Sequence, residues 1–343
     1  MKSKQSILLI YTGGTIGMME DPESGSLVPF DFAQLRVHVP ELRRFDCNIE
    51  AVSFDQPIDS SDVNIDSWQR MANMVEVNYN HYDGFVILHG TDTMAFSASA
   101  LSFMLENVAK PVIFTGSQLP IGQIRTDGKE NLITAIEIAS DTENGYPIVQ
   151  EVCVLFQSKL FRGNRTHKYS TENFDAFESA NLPALAEIGI HIHYRHDLLL
   201  RPQGPLTIRK AFSEQVGIIK IFPGMSKPYV DGVLALPGIK AFVLETFGAG
   251  NGPTDTWFLN ALRNATSKGI IILNVTQCNK GMVEQGLYET SSAFEEIGII
   301  SGGDMTTEAA LVKLMYLLGL NYNPADMKRI LLESISGERN SGE

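Results

Sequence analysis

The chain has 343 residues, of which 44% are hydrophobic and 20% are charged, and its 27 basic and 40 acidic side chains give a formal charge of −13 at pH 7. This hydrophobicity excludes wholesale disorder, and the length corresponds to about two domains. Nucleic-acid binding needs clustered lysine and arginine, so the acidic balance argues against a nucleic-acid partner.

Short β-branched runs recur along the chain, each bounded by glycine, proline or aspartate, and they predict buried strands of a parallel sheet. They occupy residues 7–11, 85–89, 112–115, 152–156, 216–222, 241–246 and 270–275. Apolar residues at helical spacing lie between them, at residues 92–108, 128–140 and 309–320 and after Asn323-Pro324. This alternation predicts an α/β protein with a larger, mostly parallel N-terminal domain and a smaller C-terminal α/β domain.

The domain boundary is predicted from a change in composition. Residues 196–213 contain two prolines and a glycine and show little periodicity after Leu200, which is typical of a linker. We therefore predict an N-terminal domain at residues 1–195 and a C-terminal domain at residues 214–343.

The N-terminal run and the cysteines bear on the location of the protein. A secretory signal needs about 7–15 apolar residues before its cleavage site, but the run at residues 7–11 ends in Thr-Gly-Gly-Thr. No stretch approaches the ~18 apolar residues of a membrane-spanning helix. Cys47, Cys153 and Cys278 are far apart and form no CxxC motif, which predicts neither a disulfide framework nor a zinc site. We expect a cytoplasmic protein with no membrane partner.

Two segments place glycine and hydroxyl residues directly after a predicted strand. They are residues 11–17 (Tyr-Thr-Gly-Gly-Thr-Ile-Gly) and residues 88–94 (Leu-His-Gly-Thr-Asp-Thr-Met). Ligands bind at the carboxyl ends of parallel strands, so Thr15, Thr91 and Asp92 are candidate site residues, although tight turns and helix caps use the same residue types. Gly14 would let a ligand approach the backbone closely. Neither segment has the spacing of a dinucleotide fingerprint or a P-loop, which predicts no nucleotide cofactor.

Taken together, these two segments resemble the signature motifs of bacterial-type L-asparaginases, most closely the cytoplasmic type I branch. The resemblance extends over about residues 7–320 and includes residues 59–62, 111–118, 162–168, 274–278 and 303–306. It implies an asparaginase/glutaminase-like fold and hydrolysis of L-asparagine to L-aspartate and ammonia through a threonine-linked acyl-enzyme, without cofactor or metal. The preference between asparagine and glutamine stays open.

The resemblance also implies the catalytic roles. Thr15 matches the nucleophile, whose hydroxyl needs a nearby proton acceptor. Thr91, Asp92 and Lys168 match a second triad, in which a partly desolvated lysine is paired with the aspartate and relays protons through the threonine hydroxyl. Lys168 alone would be interpreted as an ordinary surface charge, and only the resemblance gives it a role.

The same resemblance implies the substrate-binding residues. Gly14, Asp59, Ser60 and Ser61 would hold the α-carboxylate and the reacting group, and Asp92, beside Thr91, would pair with the α-ammonium. An alternative interpretation is that the cluster at residues 59–62 caps the helix that contains Trp68.

Two positions depart from the family pattern. The mobile loop after the first motif often carries a tyrosine two residues before a proline, where this chain has Leu27. Tyr288 is a candidate auxiliary residue in its place, and a packing role is the alternative. Some type I enzymes bind effector asparagine through an arginine, and the aligned residue here is Glu245. An acidic side chain would repel the effector carboxylate, so we expect weak or absent allosteric activation.

Other functions remain as alternatives to the amidohydrolase. One is the ammonia-supplying subunit of a tRNA-dependent amidotransferase, which is expected to carry an extra N-terminal domain. Another is a non-catalytic asparagine sensor on the same scaffold. His191 and His193 would share a strand face, but no further ligand accompanies them, so an edge strand is favoured over a metal site. The resemblance further implies a homodimer or homotetramer.

Overall fold

The computed structural model describes residues 4–20, 27–29, 39–284 and 289–340, and its contacts divide the chain into two units. The first unit consists of Met1–Ser179 and Pro183–Lys210, and the second of Ala180–Leu182 and Ala211–Glu343. Residues 196–210, which the sequence pattern assigned to a linker, are thus part of the first unit. They are held there because the Leu200 N–H donates to Glu151 and because Thr207–Ile208 pairs with Leu105–Glu106.

The described part of the first unit contains one large sheet with eight strands. The strands are β1 (Gln5–Gly13), β2 (Cys47–Ile58), β3 (Gly84–Leu88), β4 (Val112–Thr115), β5 (Val152–Phe156), β6 (Lys159–Arg162), β7 (Ala186–Ile188) and β8 (Ile192–Tyr194). Their order is β8-β7-β6-β5-β4-β3-β1-β2. The neighbours from β5 to β2 pair in parallel, and β5 to β8 pair antiparallel. The prediction of a mostly parallel sheet is confirmed.

Helices cover this sheet because its central strands are apolar on both faces. The helices are α1 (Ile65–Asn78), α2 (Met94–Met104) and α3 (Gly128–Ser140). Helix α2 is shorter than the predicted 92–108, since residues after Met104 leave the helix to pair with Thr207–Ile208. It tolerates burial of nearly every residue because its polar side chains are small, and Ser99 and Ser102 donate to carbonyls one turn earlier.

The second unit has its own parallel sheet. Its strands are β9 (Val216–Lys220), β10 (Ala241–Thr246), β11 (Ile271–Thr276) and β12 (Ile300–Ser301), paired in that order. Its helices are α4 (Lys227–Leu234), α5 (Thr256–Ser267), α6 (Glu289–Ile297), α7 (Thr307–Gly319) and α8 (Pro324–Leu332). Phe242, Phe258 and Phe294 lie in the buried core of this unit. Helix α8 begins as the sequence predicts, with the Asn323 side chain accepting the N–H groups of Ala325 and Asp326.

Short elements complete the described structure. Two-stranded pairs join Met18–Glu20 to Leu27–Pro29, Leu105–Glu106 to Thr207–Ile208, Thr142–Glu143 to Tyr146–Pro147, and His167–Lys168 to Phe177–Glu178. Single 3₁₀ turns lie at Thr15–Gly17, Pro40–Arg44, Ser60–Asp62 and Gly163–Arg165. Among the described helices, none has both the length and the apolar character needed to cross a membrane.

Candidate active site

The turn that carries Thr15 depends on glycine. Strand β1 ends in Gly13 and Gly14, whose φ angles are +138° and +85°. A Cβ on Gly13 would lie 2.0 Å from the Ile58 carbonyl oxygen, and one on Gly14 would lie 2.5 Å from the Gly90 Cα. Any side chain would therefore push the end of β1 away from its neighbours. Thr15 follows directly, half-buried, as the first residue of the 3₁₀ turn.

Tyr11 hydrogen-bonds to this turn and packs against it. Its hydroxyl donates to the Gly14 carbonyl oxygen at 3.4 Å, and its ring occupies the space that a side chain on Gly17 would need. Burial raises the pKa of the Tyr11 hydroxyl to about 12, so it stays a neutral donor at physiological pH. The turn that carries Thr15 is thus held by Tyr11 and by the backbones of Ile58 and Gly90.

The loops that follow β1, β2 and β3 meet at one edge of the sheet. Gly90 follows β3 and contacts Gly14, and a Cβ on Gly90 would lie 2.6 Å from Ser60 Oγ. The Thr93 hydroxyl donates to the Ser60 carbonyl oxygen at 2.7 Å. Parallel strands bring their carboxyl ends to the same edge, which is where open α/β sheets bind ligands. The structure therefore brings together the segments that contain Thr15, Ser60 and Thr91.

Lys168 reaches this edge from another part of the chain. Its Nζ donates to Thr91 Oγ1 at 2.8 Å and to Asp92 Oδ1 at 2.7 Å. The lysine side chain is 13% exposed, whereas that of Asp92 is 63% exposed. An ion pair this open to water stabilises a fold by only about 0–1 kcal/mol. The contact thus matters more for placing a proton donor beside a hydroxyl than for folding.

The Asp59 cluster forms a tight turn of its own. Asp59 Oδ1 accepts the Ser61 N–H at 2.8 Å and the Ser61 hydroxyl at 2.7 Å, and these hydrogen bonds lower the pKa of the Asp59 carboxyl. Asp59 caps the 3₁₀ turn Ser60–Asp62. The alternative in which this cluster caps the Trp68 helix is wrong, because Asn64 and Ser67 form the capping box of α1.

Two residues to which the sequence pattern gave no role also shape the site. Gln118 Oε1 accepts from the Thr91 hydroxyl at 3.4 Å, and its Nε2 donates to the Asn173 carbonyl at 3.1 Å. Buried Asp127 holds this turn by accepting the N–H groups of Gln118 and Leu119 at 3.0 and 3.2 Å. The available signal was the position of Gln118 just after β4, at the same sheet edge.

The sequence also singled out Tyr288, Leu27, Glu245 and two histidines. Tyr288 is outside the described residues, and so is the side chain of Leu27. Glu245 is on β10 of the second unit, where Oε1 accepts from the Thr307 hydroxyl at 2.6 Å and Oε2 lies 3.3 Å from Lys220 Nζ. His191 is exposed just before the edge strand β8, and His193 is exposed within it. Within the described ranges, no three His, Cys, Asp or Glu side chains gather to form a metal site.

Comparisons with known proteins identify the family. A model described as "Asparaginase, N-terminal" matches residues 6–200, and one described as "Glutaminase/Asparaginase C-terminal domain" matches residues 215–331. L-asparaginase 1 of Escherichia coli strain K12 is 42% identical over 342 residues, 98% of each chain. The crystal structure of L-asparaginase I from Vibrio cholerae has a TM-score of 0.89 at 39% identity and covers 98% of this chain and 100% of its own.

A more distant relative has a different activity in its name. It is a glutamyl-tRNA(Gln) amidotransferase protein of Pyrococcus abyssi, 32% identical over 344 residues, which cover 97% of this chain and 76% of that protein. Fold, site and comparisons together place the protein among the amidohydrolases. More particularly, the chain belongs to the asparaginase family.

Proposed function

We propose that the protein hydrolyses L-asparagine to L-aspartate and ammonia, through an acyl-enzyme on Thr15. The observation that carries this proposal is the contact of Lys168 Nζ with both Thr91 Oγ1 and Asp92 Oδ1, at 2.8 and 2.7 Å. Membership of the asparaginase family supports the substrate. The identity of 42% to a protein named L-asparaginase 1 supports it further.

In the first half of the reaction, Thr15 Oγ attacks the side-chain amide carbon of the substrate. The hydroxyl loses its proton, the carbon–nitrogen bond breaks, and the nitrogen leaves as ammonia after taking up a proton. Gly14 supports this step by leaving the backbone open to close approach of the amide. The product of this half-reaction is an aspartyl ester on Thr15.

In the second half, water attacks that ester and restores Thr15. We assign activation of this water to Thr91: it accepts the water proton while its own proton passes, by way of Lys168, to Thr15 Oγ. The tetrahedral intermediate collapses as Thr15 Oγ takes up this proton, and L-aspartate leaves. Asp92 stabilises the positive charge of Lys168 during the transfer.

Substrate recognition needs both charges of an amino acid to be matched. Asp92 is exposed enough to pair with an α-ammonium, and Ser60 and Ser61 are proposed to donate to the α-carboxylate. Both donors of Ser61 are taken up by Asp59 in this structure, so a Ser61 donor must turn from Asp59 to the substrate when the α-carboxylate binds. Asparagine and glutamine differ by one methylene, worth about 1–3 kcal/mol in a pocket, and a comparison of kcat/KM measures the preference.

The test is ammonia release from L-asparagine by the wild type, Thr15→Ala and Lys168→Met. We expect turnover by the wild type and loss of activity in both variants, with the folded circular dichroism spectrum preserved. Lys159→Met is the matched control, because Lys159 makes a half-exposed ion pair with Asp175 in the same unit. Binding of asparagine without ammonia release by the wild type would contradict the proposal and favour a sensor.

We further infer a homo-oligomer, a dimer or a tetramer, and a cytoplasmic location. Family membership supports the assembly, and three free cysteines fit a reducing compartment. Light scattering should give two or four times the chain mass of 37.8 kDa, and a monomer would contradict the assembly. Cell fractionation tests the location.

A further inference from the structure

A chain of buried hydrogen bonds runs from helix α1 to the residue before Thr91. Trp68 Nε1 donates to Ser97 Oγ at 3.1 Å, Ser97 Oγ lies 2.9 Å from His89 Nε2, and His89 Nδ1 lies 2.6 Å from the Gly90 carbonyl oxygen. His89 is 1% exposed and Ser97 is 0% exposed. None of these residues was given a role by the sequence pattern, in which His89 is simply the last residue of a predicted strand.

The chemistry of the end groups determines the direction of this chain. An indole N–H can only donate and a carbonyl oxygen can only accept. The Gly90 carbonyl oxygen therefore requires a proton on His89 Nδ1, and the neutral ring then has a bare Nε2. Ser97 Oγ accepts the Trp68 N–H and donates its own proton to this Nε2. In the other tautomer, the Nδ1 lone pair would face the Gly90 carbonyl oxygen, which would place two acceptors in contact.

Gly90 is the point at which this chain meets the active-site edge. Its backbone contacts Gly14 on one side and Ser60 on the other, and it directly precedes Thr91 and Asp92. A peptide group fixed here determines where the next two side chains leave the backbone, and hence how they meet Lys168. A displacement of about 1 Å at a reacting group can cost about 100-fold in rate.

We propose that His89 is a positioning residue that fixes the Gly90 peptide through Nδ1–H, and that the Ser97 hydroxyl, held by Trp68, favours this tautomer by donating to Nε2. The inference rests on the proposed function, because the reaction uses Thr91 and Asp92. It goes beyond that function by adding a buried network that touches neither substrate nor reacting atoms. Burial lowers the pKa of the His89 imidazole to about 4, so the neutral ring is the resident form at pH 7.

The first test is a pair of buried serine variants on α2. Ser97→Ala breaks the chain, whereas Ser99→Ala removes a hydroxyl that is equally buried and donates only within the helix, to the Ala95 carbonyl. We expect Ser97→Ala to lower kcat/KM for asparagine by about tenfold or more, and Ser99→Ala to leave it near the wild-type value at a similar loss of Tm. Equal kcat/KM in the two variants would overturn the proposal.

The second test separates the two ring nitrogens. In His89→Asn the side-chain amide can take the place of Nδ1 and donate to Gly90, whereas in His89→Gln it can take only the place of Nε2. A purely structural role predicts equal losses, and the positioning role predicts that Asn retains more kcat/KM than Gln. If His89→Gln does not fold, the comparison of Ser97→Ala with Ser99→Ala tests the positioning role instead.

The third test does not depend on activity. Nitrogen NMR of protein labelled in its histidines reports the tautomer of His89, and we expect a protonated Nδ1 and a bare Nε2 at pH 7. A proton on Nε2 would overturn the inference even in an active enzyme. An inactive wild type with the expected tautomer would instead overturn the proposed function alone.

Discussion

Lys168 Nζ donates to Thr91 Oγ1 at 2.8 Å across 77 residues of sequence. An ammonium has no lone pair, so it uses an acceptor position on the hydroxyl and leaves the Thr91 proton to point elsewhere. The Thr91 hydroxyl donates this proton to Gln118 Oε1, which lies 3.4 Å from Thr91 Oγ1. The pair thus holds Thr91 with its proton directed away from the lysine and toward Gln118.

Removing only the Thr91 hydroxyl tests this relationship. Thr91→Val keeps the shape of the side chain, and we expect kcat to fall about 100-fold or more, because general acid–base groups contribute about 10²–10⁴ in rate. Thr91→Ser is the control, since it retains the hydroxyl and should keep most of the activity. Steady-state kinetics measures both, and an active Thr91→Val would remove this hydroxyl from the mechanism.

A methyl group on Gly14 tests the packing of the two loops. In Gly14→Ala the new Cβ lies 2.5 Å from the Gly90 Cα, and the φ of +85° is unfavourable for alanine. We expect loss of activity and a lower Tm. Gly122→Ala is the control, because a Cβ there meets nothing within 4 Å. Wild-type activity in Gly14→Ala would show that the contact of the loops is dispensable.

The charge at Glu245 predicts how the enzyme responds to substrate concentration. This carboxylate accepts from Thr307 and lies beside Lys220. The sequence resemblance aligns Glu245 with the arginine through which some type I enzymes bind effector asparagine, and we expect its negative charge to repel that effector. We expect a hyperbolic saturation curve for asparagine, with a Hill coefficient of about 1. A strongly sigmoidal curve would contradict this expectation.

Acid should destabilise the protein through His89. Its pKa is lowered from 6.5 to about 4, so the unfolded state binds more protons between these values and stability falls as pH drops through this window. The effect amounts to about 3 kcal/mol when complete and is absent above the unfolded-state pKa. Urea unfolding against pH measures it: the difference between wild type and His89→Asn should appear between pH 6.5 and 4.

Replacing one member of the buried ion pair in the second unit should strongly lower the free energy of unfolding. Lys313 and Glu338 are fully buried and form an ion pair at 2.5 Å, and Lys313 also donates to the Glu333 carbonyl. Lys313→Met leaves a buried carboxylate uncompensated, which costs about 3–5 kcal/mol. Lys313→Met/Glu338→Gln should cost less, and the exposed Lys227→Met should cost little. Equal costs in urea unfolding for Lys313→Met and Lys227→Met would contradict this assignment.

Local sequence patterns predicted the central strands and several helices because burial on both faces leaves an unbroken apolar run. Strand β2 was missed, since it lies at the sheet edge and its residues are mostly polar or exposed. Strands β6 and β7 were missed for a related reason, as they are short and pair antiparallel beyond the buried centre. The edge strand favoured at His191 and His193 is confirmed as β8. Edge strands carry no continuous hydrophobic signal.

The site was predictable only where a motif marked it. Thr91 and Asp92 follow a strand, but Lys168 has no local signal and reaches them across 76 or more residues. His89 looked like a strand residue, and its partners Ser97 and Trp68 lie on two different helices. Such contacts arise from tertiary packing, which spacing along one segment does not encode.

Trapping the acyl group tests most directly whether Thr15 carries it. In Thr91→Val the ester should form faster than water removes it, so acid quenching after mixing with L-asparagine should preserve it. We predict that mass spectrometry of the digested protein finds one aspartyl group on the peptide that contains Thr15. An aspartyl group on another residue, or ammonia release with no trapped ester, would contradict the account.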